Sequence, residues 1–485
     1  MIETGTDSIR WLGGAAYLAI LLLLVPFGAH RLRLIWLRLR SPRRRTLAAW
    51  EGSLPVVTVQ LPVYNEANVV GRLIDAACRL DYPKDRLEIQ VLDDSDDETS
   101  SIVRERAEYW RRRGVDVQHV RRSSRTGFKA GALQNGLRRS KGEFLLVLDA
   151  DFVVPPNLIG ELLPPLADPE VGAVQAAWSH LNLDDSWLTR AQALLLDAHF
   201  AIEHESRYRA GLFFNFNGSA GMLRRRCLDT SGGWRSDTLT EDLDLSYRAQ
   251  LAGWRFVYRD QVRVPAELPT RIGALELQQE RWAQGGIQTG IKLLPAIWRS
   301  RVRLSVKLEA TAHLLGHAVH PLTLLLGTAL ALLGFLGPTG HFLPWWVHVL
   351  ALVMATVPFV LFYGLAAHLR DVPVRRIPGR VLQAMLLGLG LGIPLAGAVA
   401  RGLAGTPTPF HRTPKRGRAP ARIYQARRRT ASDAVRGVLG LTLTGAAANL
   451  VVVGMLPAVP FTGLFAAGYL AATRETLRSE RIANQ

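Results

Sequence analysis

Sixty residues from Ala310 to Leu369 pass without a Lys, Arg, Asp or Glu, and this run constrains the fold more than any other feature. About 20 residues suffice to cross a hydrocarbon core of about 30 Å. The run therefore divides into two spans, about 310–336 and 343–367, at Gly337-Pro338-Thr339-Gly340. Gly437–Thr473 is also uncharged and is broken by Pro457 and Pro460, giving two shorter spans, about 437–455 and 457–473. Trp11–Ala29, also uncharged, is a fifth span. A cleaved leader would begin with a basic segment, whereas Met1–Arg10 holds Glu3 and Asp7 against one Arg. The N-terminus is therefore expected to face outward.

The net charge of +18 lies almost entirely beside these spans. Seven Arg fall in residues 31–45, four Arg against Asp371 in 370–380, and nine Lys or Arg in 401–429. That distribution matches the excess of basic residues in cytoplasmic loops. It does not match a nucleic-acid protein, which carries its basic residues on the folded domain. Val381–Ala400 is uncharged as well, but both its flanks are basic. A crossing there would leave one basic loop outside, so the segment is expected to be interfacial or re-entrant. Residues 31–309, 370–380 and 401–430 are then all cytoplasmic, as is the C-terminus. With Cys78 and Cys227 the only cysteines, a disulfide scaffold is excluded.

Residues 55–265 differ in character. Val56–Leu61, Leu87–Leu92 and Glu143–Leu148 are short β-rich runs, ending at Pro62, Asp93 and Asp149, with helix-compatible segments such as Leu73–Arg79 between them. Alternating strands and helices imply a doubly wound, mainly parallel sheet, whose ligands bind beyond the carboxyl ends of the strands. Asn65, Glu66, Asp93 and Asp149 all fall at that edge. Two stretches are amphipathic at helical spacing. Leu188, Ala191, Leu195, Ala198 and Ile202 mark either a core helix or one at the membrane surface. Ile287, Ile291, Leu294 and Trp298, which lead toward a span, mark a surface helix.

The chemistry-bearing residues come in clusters. Asp149-Ala150-Asp151 can offer two hard oxygen ligands to a divalent cation that shares substrate phosphates, although a lone D-x-D is usually a solvated turn. Thr240-Glu241-Asp242 precedes a helix, where acids favour the helix dipole; beside a metal, Asp242 or Glu241 can act as general base. Gln278-x-x-Arg281-Trp282 offers an indole face for a sugar ring and a guanidinium for phosphate oxygens. Lys129 is a further candidate for a diphosphate. No phosphate-binding Walker loop, zinc spacing or serine-hydrolase elbow is present.

In this order the D, D-x-D, T-E-D and Q-x-x-R-W elements resemble the family 2 glycosyltransferases, and among them the membrane-embedded processive synthases. The strings PVYNE (62–66), QVLDDSDDET (90–99), GFKAGAL (127–133), DADF (149–152), FNGSAG (216–221), EDLDL (241–245) and QQERW (278–282) are similar to plant cellulose-synthase-like A and C proteins, which make mannan or glucan backbones. The resemblance implies an α/β GT-A (Rossmann-like) glycosyltransferase domain over residues 49–300. It would lie between an N-terminal membrane helix (1–48) and a C-terminal transmembrane region (301–485). It also implies nucleotide contacts from Asp93 or Asp94, with Asn65, Glu66 and Lys129 nearby, Mg²⁺ or Mn²⁺ on Asp149 and Asp151, and Asp242 as base. Gln278, Arg281 and Trp282 would position acceptor and diphosphate. The implied reaction builds a β-linked, β-1,4 hexan from GDP-mannose or UDP-glucose onto a growing polysaccharide and passes it through the chain's own spans. Transfer of one sugar to a lipid acceptor is the alternative. Phe410-His411-Arg412-Thr413-Pro414-Lys415 is similar to the F-x-V-T-x-K gating loop of bacterial cellulose synthases, with Arg412 at the Val position; it reads equally as a basic surface loop. No cyclic-di-GMP-binding signature follows the membrane region.

Overall fold

A computed structural model of the protein describes residues 2–42, 50–336, 345–408, 413, 415, 417 and 430–483. Seven strands form one mixed sheet in the order β3-β2-β1-β4-β6-β5-β7. These are β1 (Val57–Val63), β2 (Leu87–Asp93), β3 (Asp116–Arg121), β4 (Phe144–Val147), β5 (Val171–His180), β6 (Gly221–Arg224) and β7 (Arg255–Ala266). β1 to β4 are mutually parallel, and β6 enters antiparallel to both β4 and β5. β1 runs further than the sequence suggests: Pro62 lies past the last residue paired with β4, so its missing donor falls where only β2 is alongside.

Alternation along β1 sets the two faces. Val57, Val59 and Leu61 pack under α2 (Val70–Ala77), α3 (Thr99–Arg111) and α5 (Leu158–Leu162). The opposite face carries α4 (Phe128–Arg139), α8 (Arg225–Thr230) and α9 (Glu241–Leu251) over Leu92, Leu145 and Val147. Thr58, Gln60, Glu88 and Gln90 are buried between the strands and helix α4. Glu88 accepts from Thr58 Oγ1 (2.5 Å), Gln118 Nε2 (2.7 Å) and the Lys141 backbone N–H (2.8 Å), which satisfies a carboxylate that burial alone would penalise.

Among the described residues five helices are long and apolar enough to cross a membrane: Leu12–Arg40, Gly316–Phe335, Trp345–Leu369, Ala431–Val452 and Leu456–Arg481. They belong to α1 (Ile2–Arg40), α12 (Val319–Leu336), α13 (Trp345–Leu369), α16 (Ala431–Val452) and α17 (Val459–Ala483). The first does not stop at Ala29. It continues through the arginine run because that run docks on residues 199–209: the Arg38 side chain donates to Ala201 O and Ser206 Oγ to Leu34 O. The second does not start at 310. Residues 304–314 form a separate helix, α11, before a turn at 315–318.

Residues 377–403 form two helices, α14 (Ile377–Gly390) and α15 (Gly392–Leu403), bent by 51° at Leu391. The Gly390 carbonyl freed at the bend accepts from Arg436 Nη1 (3.3 Å). A carbonyl freed where a helix breaks away from water needs such a partner. Both flanks of the pair touch the sheet domain, through Arg370–Asp260 (2.8 Å) and Lys415–Asp151 (2.6 Å).

Two amphipathic helices join the layers. α6 (Trp187–Ala198) buries Leu188 and Ala191 against α10 (Ile272–Arg299), and Leu194 and Ala198 against α13 and α14. It runs through a π-helical turn at His199–His204 into α7 (Glu205–Arg209). On α10, Ile287 points inward, while Ile291 and Trp298 form an exposed apolar patch with Leu304 and Leu308 of α11.

Candidate active site

One cavity of about 550 Å³ lies where the carboxyl ends of the strands meet α9, α10 and the membrane helices. Glu66, Asp94, Lys129, Asp149, Asp151, Glu241, Asp242, Gln278, Arg281 and Trp282 all line it. These residues come from six separate segments, so only the fold brings them together.

Asp149 and Asp151 leave the end of β4 with each carboxylate on a lysine. Lys129 Nζ stands 2.6 Å from Asp149 Oδ1, and Lys415 Nζ stands 2.6 Å from Asp151 Oδ2. Burial raises the Asp149 pKa, Asp151 adds to the rise, and Lys129 opposes it. Among the described residues no group of three or more His, Cys, Asp or Glu forms a closed metal cage. The pair nonetheless fits a hard divalent cation, because Mg²⁺-like ions take one or two carboxylates and complete their shell with phosphate and water. Both carboxylates already face positive charge, which is the electrostatic role such an ion would fill.

Lys129 owes its place to the start of α4, where Gly127 (φ 74°) and Phe128 (φ 48°) turn the chain through the left-handed region. Its ammonium also donates to the Gly218 carbonyl (3.0 Å). Gly218 has φ 75°, and a Cβ there would stand 2.9 Å from Asp242 Oδ2. This position needs glycine both for its backbone and for the close approach of the acid. Asp242 opens α9, where its Oδ1 accepts from the Leu243 N–H (2.8 Å). Burial pushes its pKa up to about 7, and Glu241 beside it adds to the rise while Lys129 and Arg281 oppose. A carboxyl poised near neutrality suits proton abstraction.

Helix α10 meets α9 through Gly285. A Cβ there would come within 2.9 Å of the Thr240 backbone nitrogen and closer still to its side chain. Gly285 thus lets the Gln278-x-x-Arg281-Trp282 turn sit beside Asp242. On the opposite stripe of α10, Glu276, Glu280 and Gln284 grip Arg436 (2.5 Å), Arg401 (2.7 Å) and Thr406 with Thr408 (3.0 Å each).

Two residues expected at the site are not on the cavity wall. Asp93, the last residue of β2, turns inward: its oxygens accept from His119 (2.7 Å), Ser100 (2.6 Å) and the Ser95 N–H (2.9 Å). Burial opposes ionisation, yet these hydrogen bonds win and lower its pKa to about 2. Asp94, one residue on, faces the cavity and is held by Arg122 through two bonds of 2.7 and 2.5 Å. Asn65, in the left-handed region at φ 55°, exchanges hydrogen bonds with Asp96 (2.7 and 3.1 Å) and clips the two strand ends together. Of the gating-loop string, Thr413 and Lys415 are described; Phe410, His411, Arg412 and Pro414 lie outside the described residues. Sequence reasoning gave no role to Arg122, Gly218 or Gly285; Gly218 lies inside the FNGSAG string and Gly285 just after QQERW, while nothing in the sequence marks Arg122.

The family model "Glycosyltransferase like family 2" matches residues 55–285. A probable glucomannan 4-beta-mannosyltransferase of Oryza sativa subsp. japonica is 44% identical over 242 residues, 49% of this chain and 42% of that protein. A glucomannan 4-beta-mannosyltransferase of Arabidopsis thaliana is 41% identical over 254 residues, 51% of this chain and 48% of that protein. The chain thus spans less than half the length of these two relatives. Among solved structures, a mannosyltransferase from Pyrobaculum calidifontis in complex with GDP-Man and Mn²⁺ superposes with a TM-score of 0.57 and 25% identity, over 83% of this chain and all of that one. Sheet, cavity and matches agree: residues 55–285 are a glycosyltransferase family 2 domain of GT-A-like fold, carried on helices apolar enough to span a membrane.

Proposed function

We propose that the protein is a membrane-embedded, inverting β-mannosyltransferase that extends a β-1,4-linked mannan-type polymer from GDP-mannose and passes it between its own spans. The observation carrying this reading is the single cavity that holds Asp149, Asp151, Asp242 and Trp282 together and continues to His317 and His320 at the head of α12. The mannosyltransferase relatives and the GDP-Man and Mn²⁺ of the solved neighbour support the donor and the metal.

In the reaction, Asp242 takes the proton of the acceptor hydroxyl as its oxygen attacks the anomeric carbon. The bond from that carbon to the diphosphate breaks, and the leaving diphosphate keeps the electron pair. One displacement inverts the configuration, and no covalent nucleophile is needed. A divalent cation on Asp149 and Asp151 would neutralise charge on the diphosphate. Lys129 and Arg281 face the same space and hold the diphosphate, and Trp282 offers a flat apolar face to the acceptor ring. The catalytic domain lies in the cytoplasm, with α14 and α15 entering and leaving the bilayer on that side. The contacts of both their flanks with the sheet domain support this.

Purified protein supplied with GDP-mannose or UDP-glucose, with Mg²⁺, Mn²⁺ or chelator, tests the reading. Metal-dependent β-1,4-linked mannan is expected from GDP-mannose. A single sugar on lipid, or full activity in chelator, would overturn it.

The split between Asp93 and Asp94 gives a further prediction. Asp94→Ala is expected to weaken GDP binding about tenfold. Asp93→Ala is expected to leave GDP affinity within about twofold but to destabilise the domain by about 1–3 kcal/mol, because it strands buried donors. Calorimetric titration and thermal melts separate the two, and equal loss of nucleotide binding in both variants would refute the division.

A further inference from the structure

Past Asp242 and Trp282, the cavity wall is polar in a way that neither the metal nor the diphosphate uses. We propose that His199, Glu203, Asn215 and Asn217 form the subsite that holds the hydroxyls of the acceptor's terminal hexosyl unit; this rests on the transferase reading above. All four residues line the cavity. His199 and Glu203 belong to the π-helical turn after α6, a distortion that clusters at functional sites. Their side chains keep 26% and 28% of their surface, while Phe200, Ala201, Ile202 and His204 of the same turn keep at most 1%. The turn therefore points its two polar members at the cavity and buries the rest.

Asn217 joins this wall to the chemistry. Its Oδ1 accepts from His199 Nε2 (3.0 Å) and Asn215 Nδ2 (2.9 Å), and its backbone N–H donates to Gln175 Oε1 (2.9 Å). The next residue is Gly218, against which Asp242 Oδ2 rests, and the one after is Ser219, whose hydroxyl accepts from the Asp149 N–H (2.8 Å). A ligand on Asn217 is thus held within two residues of both the base and the metal carboxylate. Asn215 Oδ1 is buried without a hydrogen-bond partner among the described residues, in a side chain only 8% exposed. Such an atom is costly unless a ligand donates to it.

The wall's chemistry names the class of ligand. Amide, imidazole and carboxylate groups together offer both donors and acceptors, which is what a ring of hydroxyls requires. Trp178 and Trp282 line the same space and suit the apolar face of a pyranose. An anionic headgroup fits poorly. Of the guanidiniums that line the cavity, Arg207 is already engaged by Glu203 (3.3 Å) and Glu309 (3.0 Å), and Glu203 would repel a phosphate.

The test measures acceptor KM and GDP Kd on the full-length protein, with β-1,4-manno-oligosaccharides and mannosyl lipid as separate acceptors. His199→Gln and Asn217→Ala are each expected to raise acceptor KM about tenfold, the worth of one hydrogen bond to a buried partner, with GDP Kd within about twofold. The acceptor showing the larger shift identifies the source of the hexosyl unit. An acceptor KM within about twofold of the unmodified protein, in variants that still bind GDP, overturns the proposal. Should either variant lose GDP binding, the isosteric Glu203→Gln decides by the same criterion. Failure of the transferase reading looks different: the unmodified protein then forms no product from any nucleotide sugar.

Discussion

Asp242→Asn is expected to lower transfer about 10²–10⁴-fold, the usual worth of a general base, with GDP affinity within about twofold. The amide keeps the shape of the acid, so Gly218 and the Leu243 N–H still accommodate it, but it cannot take a proton. The pH profile gives an independent check. An acid whose pKa is raised to about 7 by burial and by Glu241 is protonated below that value and active above it. The donor kcat/KM, which reports the free enzyme, should therefore fall about tenfold per pH unit below 7 and level off above it. A flat profile between pH 5 and 8, or near-normal turnover by the Asn variant, would remove Asp242 from the role of base.

Part of this site was legible because strand ends are legible. An apolar run closing on Asp149 announces both the strand and the edge at which its ligands bind, and one string then locates the metal pair. The division of labour between Asp93 and Asp94 was not. Adjacent residues at a strand end face opposite ways, and only the sheet register and the partners His119 and Ser100 decide which one is buried. The pairing of Lys415 with Asp151 joins positions 264 residues apart, and no local pattern encodes it. The uncharged runs mark the apolar helices but not where those helices begin and end. The run from Ala310 opens one residue after Glu309, inside a helix that ends at Leu314, before the long apolar helix begins.

That same acid should produce the largest change in stability. Glu309 has no exposed side-chain surface and receives His30 Nε2 (2.9 Å), Arg33 and Arg207 Nε (3.0 Å), so a single carboxylate ties α1 and α7 to α11. Although burial opposes its ionisation, hydrogen bonds and charge from His30 and Arg207 hold its pKa well below the usual carboxylate range. A depressed acid contributes stability above its unfolded pKa and loses it only as pH falls through the folded one. Glu309 therefore stays ionised across pH 5 to 8, so its own titration is not the source of the rate loss assigned to Asp242. Glu309→Ala should cost about 3–5 kcal/mol, because it leaves the Arg207 guanidinium buried with Glu203 alone. Replacing both members by apolar side chains, Glu309→Met with Arg207→Met, should recover much of that loss, since the penalty lies in the unpaired charge. Melting of the detergent-solubilised variants, with proteolysis at the end of α1 as a second readout, measures both effects. A double variant no more stable than Glu309→Ala would mean that packing at this junction, and not charge, holds the N-terminal helix to the catalytic domain.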